Sequence, residues 1–180
     1  MKHFEFIQDF RALHEAAVAR YAAGQRNPAQ MFSAAELAFL SANGITAQQL
    51  FDYAEDKNKY DAPGVDHAAA IEIVRRDYFL NVQGGRASGT VLDIATLPGK
   101  SEAIRGIEWL PRLLPKARAK LRGELPASLM FCCGGDRGFF QEHDILPAEF
   151  LALIWRHENE PAAVVDWVVR RTSLTPGDRS

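Results

Sequence analysis

Apolar positions recur at helical spacing along most of this chain, and short polar or glycine-containing clusters interrupt them. Between Phe6 and Ala23, the residues Phe6, Phe10, Leu13, Ala17 and Tyr21 follow the period of a helix with one buried face, and Gly24 closes it. Ser33-Ala34-Ala35-Glu36 has capping-box spacing: the hydroxyl accepts an orphan amide and the glutamate reaches back. That helix runs through Phe39 and Leu40 to Asn43-Gly44, a left-handed stop. Thr46-Ala47-Gln48-Gln49 repeats the capping signal and opens a helix carrying Leu50, Phe51 and Tyr53. After the turn Asp61-Ala62-Pro63-Gly64, Asp66 is the expected cap of a helix reaching Val82.

The segment from Gln83 to Gly89 carries three glycines and is the expected mobile loop. Thr90 to Ile94 reads as a short strand or an extended connector, and the lack of a partner strand favours the connector. Pro115 suits a first turn, so the next helix is expected from Pro115 to Leu121, closed by Gly123. The run Phe131-Cys132-Cys133-Gly134-Gly135-Asp136 breaks the chain again. Helices from Pro147 to His157 and from Glu160 to Arg171 complete the pattern. It predicts an all-α fold, a single bundle-like domain of about seven to eight helices. Residues 1–100 form N-terminal helices, 101–172 a second helical region and 173–180 a frayed polar tail.

Composition narrows the function classes. The chain has 180 residues, 47% of them hydrophobic, enough for a core without staples. Twenty-one basic and 23 acidic residues leave a net charge of -2, which argues against nucleic-acid binding by bulk electrostatics. The start, Met1 to Glu5, lacks an apolar signal region, and no apolar run approaches a membrane span. The expectation is a cytoplasmic protein with no membrane partner. Cys132 and Cys133 are adjacent, a poor spacing for an unstrained disulfide, so both are expected as thiols.

The run Gly106-Ile107-Glu108-Trp109-Leu110-Pro111-Arg112-Leu113-Leu114-Pro115-Lys116-Ala117-Arg118-Ala119-Lys120-Leu121-Arg122-Gly123 resembles the signature of a bacterial family, domain of unknown function 5069. The segment Cys133-Gly134-Gly135-Asp136-Arg137-Gly138-Phe139 and the apolar positions Phe150, Leu151 and Val164 to Val168 are similar to further parts of that pattern. The likeness covers residues 106–169. It implies a helical bacterial domain and carries over no reaction.

Three places could carry chemistry. On the helix from Asp66, Ile71, Val74, Tyr78 and Val82 share an apolar stripe, and Arg75 lies within it. A guanidinium there needs a partner: either an acid in a structural salt bridge, or a pocket that it lines with Tyr78. On the helix 115–122, Leu113, Leu114, Ala117 and Leu121 form one stripe, flanked by Arg118 and Lys120, with Lys116 and Arg122 further out. These charges read as a solvated face, as an anion-holding Arg118 or Lys120, or as a basic patch. At the Cys133–Arg137 turn, Asp136 reads as a helix cap or as a site residue beside Arg137. A nucleophilic cysteine would need a base, for which His67, His143 and His157 are candidates.

The histidines lack paired metal-ligand spacing, and there is no Walker loop, dinucleotide fingerprint or serine elbow. No metal and no cofactor are therefore expected. The expectation is a metal-independent enzyme with a cation-lined pocket between helices, acting on a small carboxylic acid or carbonyl compound. Asp136 or Tyr78 would move a proton, and Arg75, Arg118 and Arg137 would bind substrate. The alternatives are a non-catalytic protein-interaction domain and a nucleic-acid-associated domain using the basic helix. A homodimer is the default assembly.

Overall fold

The computed structural model describes residues 3–173. The expected frayed tail therefore lies, apart from Ser173, outside the described residues. Nine α-helices and one two-stranded ladder make up the regular structure among the described residues, so the fold is all-α. The chain divides into two compact units, Met1–Gly89 and Thr90–Ser180.

The first unit contains α1 (His3–Ala22), α2 (Pro28–Met31), α3 (Ala34–Ala42), α4 (Ala47–Tyr60) and α5 (Val65–Asn81). The apolar stripe of α1 is buried as its spacing requires: Phe6, Phe10, Leu13, Ala17 and Tyr21 all lie in the core, where α1 packs on α4 and α5. Burying each large side chain contributes on the order of 2 kcal/mol. Both capping boxes form. Ser33 Oγ accepts the Glu36 amide at 3.3 Å while Glu36 Oε2 accepts the Ser33 amide at 2.7 Å. Thr46 and Gln49 repeat the exchange at 3.1 and 3.0 Å. Glu36 also takes a two-pronged ion pair from Arg20, at 2.8 and 3.0 Å, which holds its carboxyl down at about 2.

Asn43 caps α3, with Gly44 at φ 72°. A Cβ on Gly44 would stand 2.6 Å from the Phe79 ring, so glycine is required twice over. The α5 cap is Gly64 and not Asp66, because the helix begins at Val65 and places Asp66 in its first turn. The expected mobile loop begins as a hydrogen-bonded turn: Gln83 N–H donates to Tyr78 O and Gly85 N–H to Phe79 O, with Gly84 and Gly85 both left-handed.

The second unit opens with irregular chain. Residues 90–94 form no strand, and a 3-10 turn follows at Ile94–Thr96. This stretch belongs to the second unit because Leu92 N–H donates to Glu124 O at 2.8 Å and Arg112 Nη1 to Pro98 O at 2.8 Å. The expected boundary near residue 100 therefore falls inside it. Strands β1 (Ala103–Ile104) and β2 (Ile107–Glu108) pair antiparallel across Arg105-Gly106, whose positive φ values suit a two-residue hairpin. Helices α6 (Leu110–Arg122), α7 (Gly134–Glu142), α8 (Pro147–Arg156) and α9 (Pro161–Ser173) follow, with α6 packed on α8 and α8 on α9.

Helix α6 starts at Leu110, five residues before the expected Pro115, and takes that proline inside it. Trp109 supplies the start: its carbonyl accepts the amides of Arg112 and Leu113 at 3.1 and 3.0 Å. Pro111 occupies a first-turn position that needs no donor, and Gly123 ends the helix with φ 73°.

Candidate active site at the start of α7

The candidate site of the second unit is built around Lys116. It projects from α6 on the same side as Trp109, two turns earlier, and Lys120, one turn later. Sequence spacing puts Lys116 on the outer side of the helix. The structure instead buries it, with 2% of the side chain exposed, because residues 131–136 cover that side. Its Nζ lies 2.7 Å from Asp136 Oδ2, and the carboxylate is fully enclosed at 0%. The same Nζ donates to Cys133 Sγ at 3.2 Å.

Asp136 is the hub of this cluster. Its Oδ1 accepts the Trp109 indole N–H at 3.0 Å, and its Oδ2 also accepts the Cys132 amide at 2.8 Å. Trp109 and Cys132 both carry left-handed backbones, with φ 65° and 70°. Such conformations cost on the order of 1–3 kcal/mol each and persist only where surrounding bonds impose them. One carboxylate thus fastens two strained residues and one buried ammonium. Arg137 completes the clamp, donating from Nη1 to Cys132 O at 2.8 Å, so the Cys132 residue is held at both its amide and its carbonyl. The Trp109 ring lies close enough to α7 that a Cβ on Gly135 would come to 2.5 Å from it. Glycine is needed there for space and not for backbone angle.

The two cysteines are not equivalent. Cys132 is buried, and that burial, reinforced by the Asp136 carboxylate, pushes its thiol up to about 12. It is an inert thiol. Cys133 is half-buried, caps α7, and accepts the Arg137 amide on its carbonyl at 2.9 Å. Behind it come Gly134 and Gly135, both exposed. First-turn amides have no carbonyl partner within their own helix. The Cys133 sulfur accepts from the buried Lys116 ammonium at the start of α7.

The expected site residues divide between the units. Asp136 and Arg137 are brought together around Cys132. Arg118 is half-buried, and its Nε is enclosed without a hydrogen-bond partner. Two residues from Lys116 at about 100° each, it leaves α6 on another side. Arg75 and Tyr78 belong to the first unit, one turn apart on α5 and both buried. Arg75 donates to Gln83 Oε1 at 2.9 Å and lies 5.2 Å over the Phe79 ring. Nearby on α5, Glu72 is fully buried and accepts the Tyr53 hydroxyl at 2.8 Å, and Arg76 donates to Asn43 Oδ1 at 2.6 Å.

Of the three expected bases, His67 is exposed, His143 is buried with Nδ1 2.9 Å from Thr172 Oγ1, and His157 lies 3.8 Å from Glu160. The group in contact with Cys133 is Lys116. Sequence reasoning missed it, although the spacing Trp109–Lys116–Lys120 marks one face of a helix otherwise rich in buried apolar residues.

Among the described residues, no group of three or more histidine, cysteine or carboxylate side chains could hold a metal ion, and no helix is long and apolar enough to cross a membrane. No protein-family model, curated protein or solved structure matches the chain. The resemblance in residues 106–169 therefore rests on those residues alone.

Proposed function

We propose that this protein is an acyl-transfer or hydrolytic enzyme acting on a small carbonyl-containing substrate, with Cys133 as nucleophile. The observation that carries the reading is the Lys116 Nζ–Cys133 Sγ contact of 3.2 Å, built on a buried Lys116–Asp136 pair. Buried ion pairs are costly to assemble and weak as stabilisers, so one aimed at a partly exposed sulfur calls for a chemical reason.

In this reading Cys133 Sγ attacks the carbonyl carbon. With one ammonium proton passed to Asp136, the Lys116 amine takes the thiol proton and returns it to the leaving group. The oxygen that becomes negative is met by the Gly134 and Gly135 amides at the start of α7. Asp136 touches no substrate; it holds Lys116 in place and fixes the turn. This keeps Asp136 in the machinery as a positioning residue and leaves Arg75 and Tyr78 outside it. Arg137 holds the Cys132 carbonyl.

The test is acylation by p-nitrophenyl acetate, followed by intact mass and peptide mapping. The expected result is one acetyl group on Cys133, absent in Cys133→Ser, retained in Cys132→Ser and formed at least about tenfold more slowly in Lys116→Met, a loss of about 1.4 kcal/mol in transition-state stabilisation. Acetylation confined to surface lysines, or unchanged in Cys133→Ser, would refute the reading. The cluster would then be a latch that fastens residues 131–136 to α6, as suits a non-catalytic interaction domain.

A further inference from the structure

We infer that Lys116 and Cys133 form a reversible covalent N–O–S bridge with dioxygen, an oxidative lock on the same site. The inference rests on the accessible Cys133 thiol of the preceding reading, but not on acyl transfer. Three observations lead to it. The amine nitrogen and the sulfur are already in contact at 3.2 Å. Both ends are anchored: Lys116 by Asp136 at 2.7 Å, and Cys133 by its place as the cap of α7 beside the clamped Cys132. The competing thiol is unsuitable, since Cys132 is buried with its backbone held on both sides by Asp136 and Arg137.

The gap selects the kind of bond. A direct sulfur–nitrogen bond would have to draw the atoms together by about half their separation, against both anchors, whereas a single bridging oxygen needs only a small approach. A disulfide with Cys132 would have to break the clamp on the Cys132 residue. The nearby carboxylate supplies what the nitrogen needs, because Asp136 is placed to accept the ammonium proton and leave a free amine.

The chemistry balances with one dioxygen. The amine loses one N–H hydrogen and the thiol its S–H hydrogen. The O–O bond breaks, and one oxygen atom forms both the N–O and the O–S bonds. The other oxygen leaves as water with those two hydrogens. Nitrogen and sulfur together give up four electrons, and dioxygen takes them. The product ties α6 to the start of α7, removes the nucleophile and its proton carrier together, and is undone by a thiol reductant, which returns both side chains.

The experiment is non-reducing peptide mapping of the full chain after incubation in oxygen-saturated buffer, with an anaerobic sample beside it. The expected product is a tryptic species joining the Lys116 and Cys133 peptides, with no cleavage after Lys116. Its mass exceeds the sum of the uncleaved parts by one oxygen less two hydrogens, and the added mass rises with heavy-isotope dioxygen. Dithiothreitol should release both peptides unmodified. Cys132→Ser should still form the bridge and Cys133→Ser should not. Iodoacetamide labelling of the anaerobic protein reads the reactivity of Cys133 separately, so a failed bridge is distinguishable from an unreactive thiol. A gain of whole oxygen atoms on Cys133 with the Lys116 peptide free, a loss of two hydrogens joining Cys132 to Cys133, or an unchanged mass would each overturn the inference.

Discussion

Asparagine at position 136 keeps the shape of aspartate and removes its charge, which makes Asp136→Asn the sharpest probe of the cluster. In the native protein the carboxylate is 0% exposed and the Lys116 side chain 2%. Removing one partner of such a pair leaves the other charge buried and uncompensated, a cost of about 3–5 kcal/mol. A second cost follows from hydrogen-bond polarity. Both carboxylate oxygens accept, one from Trp109 and the other from Cys132 and Lys116. An amide has one accepting oxygen, so its NH2 must face a donor, and leaving that donor unpaired adds about 1–3 kcal/mol.

The single variant should therefore lose at least about 4 kcal/mol in urea denaturation, close to the whole stability of a small domain. Adding Lys116→Met removes the stranded ammonium. The double variant should recover about 3 kcal/mol and keep only the cost of the misplaced amide. A loss below about 1 kcal/mol in Asp136→Asn, or a double variant no better than the sum of its parts, would refute the description of these groups as a buried, coupled pair.

Three further expectations come from other parts of the molecule. His14 is buried on α1 with its Nε2 unpartnered, and burial, with a smaller contribution from Lys57, lowers its imidazole from 6.5 to about 4. The folded state binds this proton more weakly than the unfolded one, so its contribution is complete above pH 6.5 and falls by about 3 kcal/mol as pH drops to 4. His14→Phe should flatten the urea-derived stability profile across that window, and an unchanged slope would contradict the assignment. Gly135→Ala should push the Trp109 indole off Asp136 at a cost of about 1–3 kcal/mol and lower Cys133 acylation with it, measured by denaturation and by the p-nitrophenyl acetate assay. Gly44→Ala meets both a left-handed φ of 72° and the Phe79 ring at 2.6 Å, so it should lower the first unit's stability by more than about 1 kcal/mol, read from its urea midpoint.

Most of the helical architecture was readable in the residues. The α1 stripe, both capping boxes, the Asn43-Gly44 stop and the Gly123 stop depend on neighbours three or four positions away, and the structure places each as expected. The misreadings have local causes too. Asp66 is a good cap by type, but Gly64 already has the extended backbone that the cap position needs. Pro115 looked like a start because its missing amide forfeits a bond inside a helix; the carbonyl it leaves behind belongs to Pro111, still in the first turn.

The sequence by itself determined the all-α class and the core face of α1. Only the tertiary structure decided which charges are buried and what they touch. Lys116 and Glu72 show no sign of burial until another segment covers them, whereas the place of Arg75 within an apolar stripe already pointed inward. Whether a long charged side chain meets water or a carboxylate depends on residues 20 positions away, as Lys116 and Asp136 are, and helical period carries no information at that range.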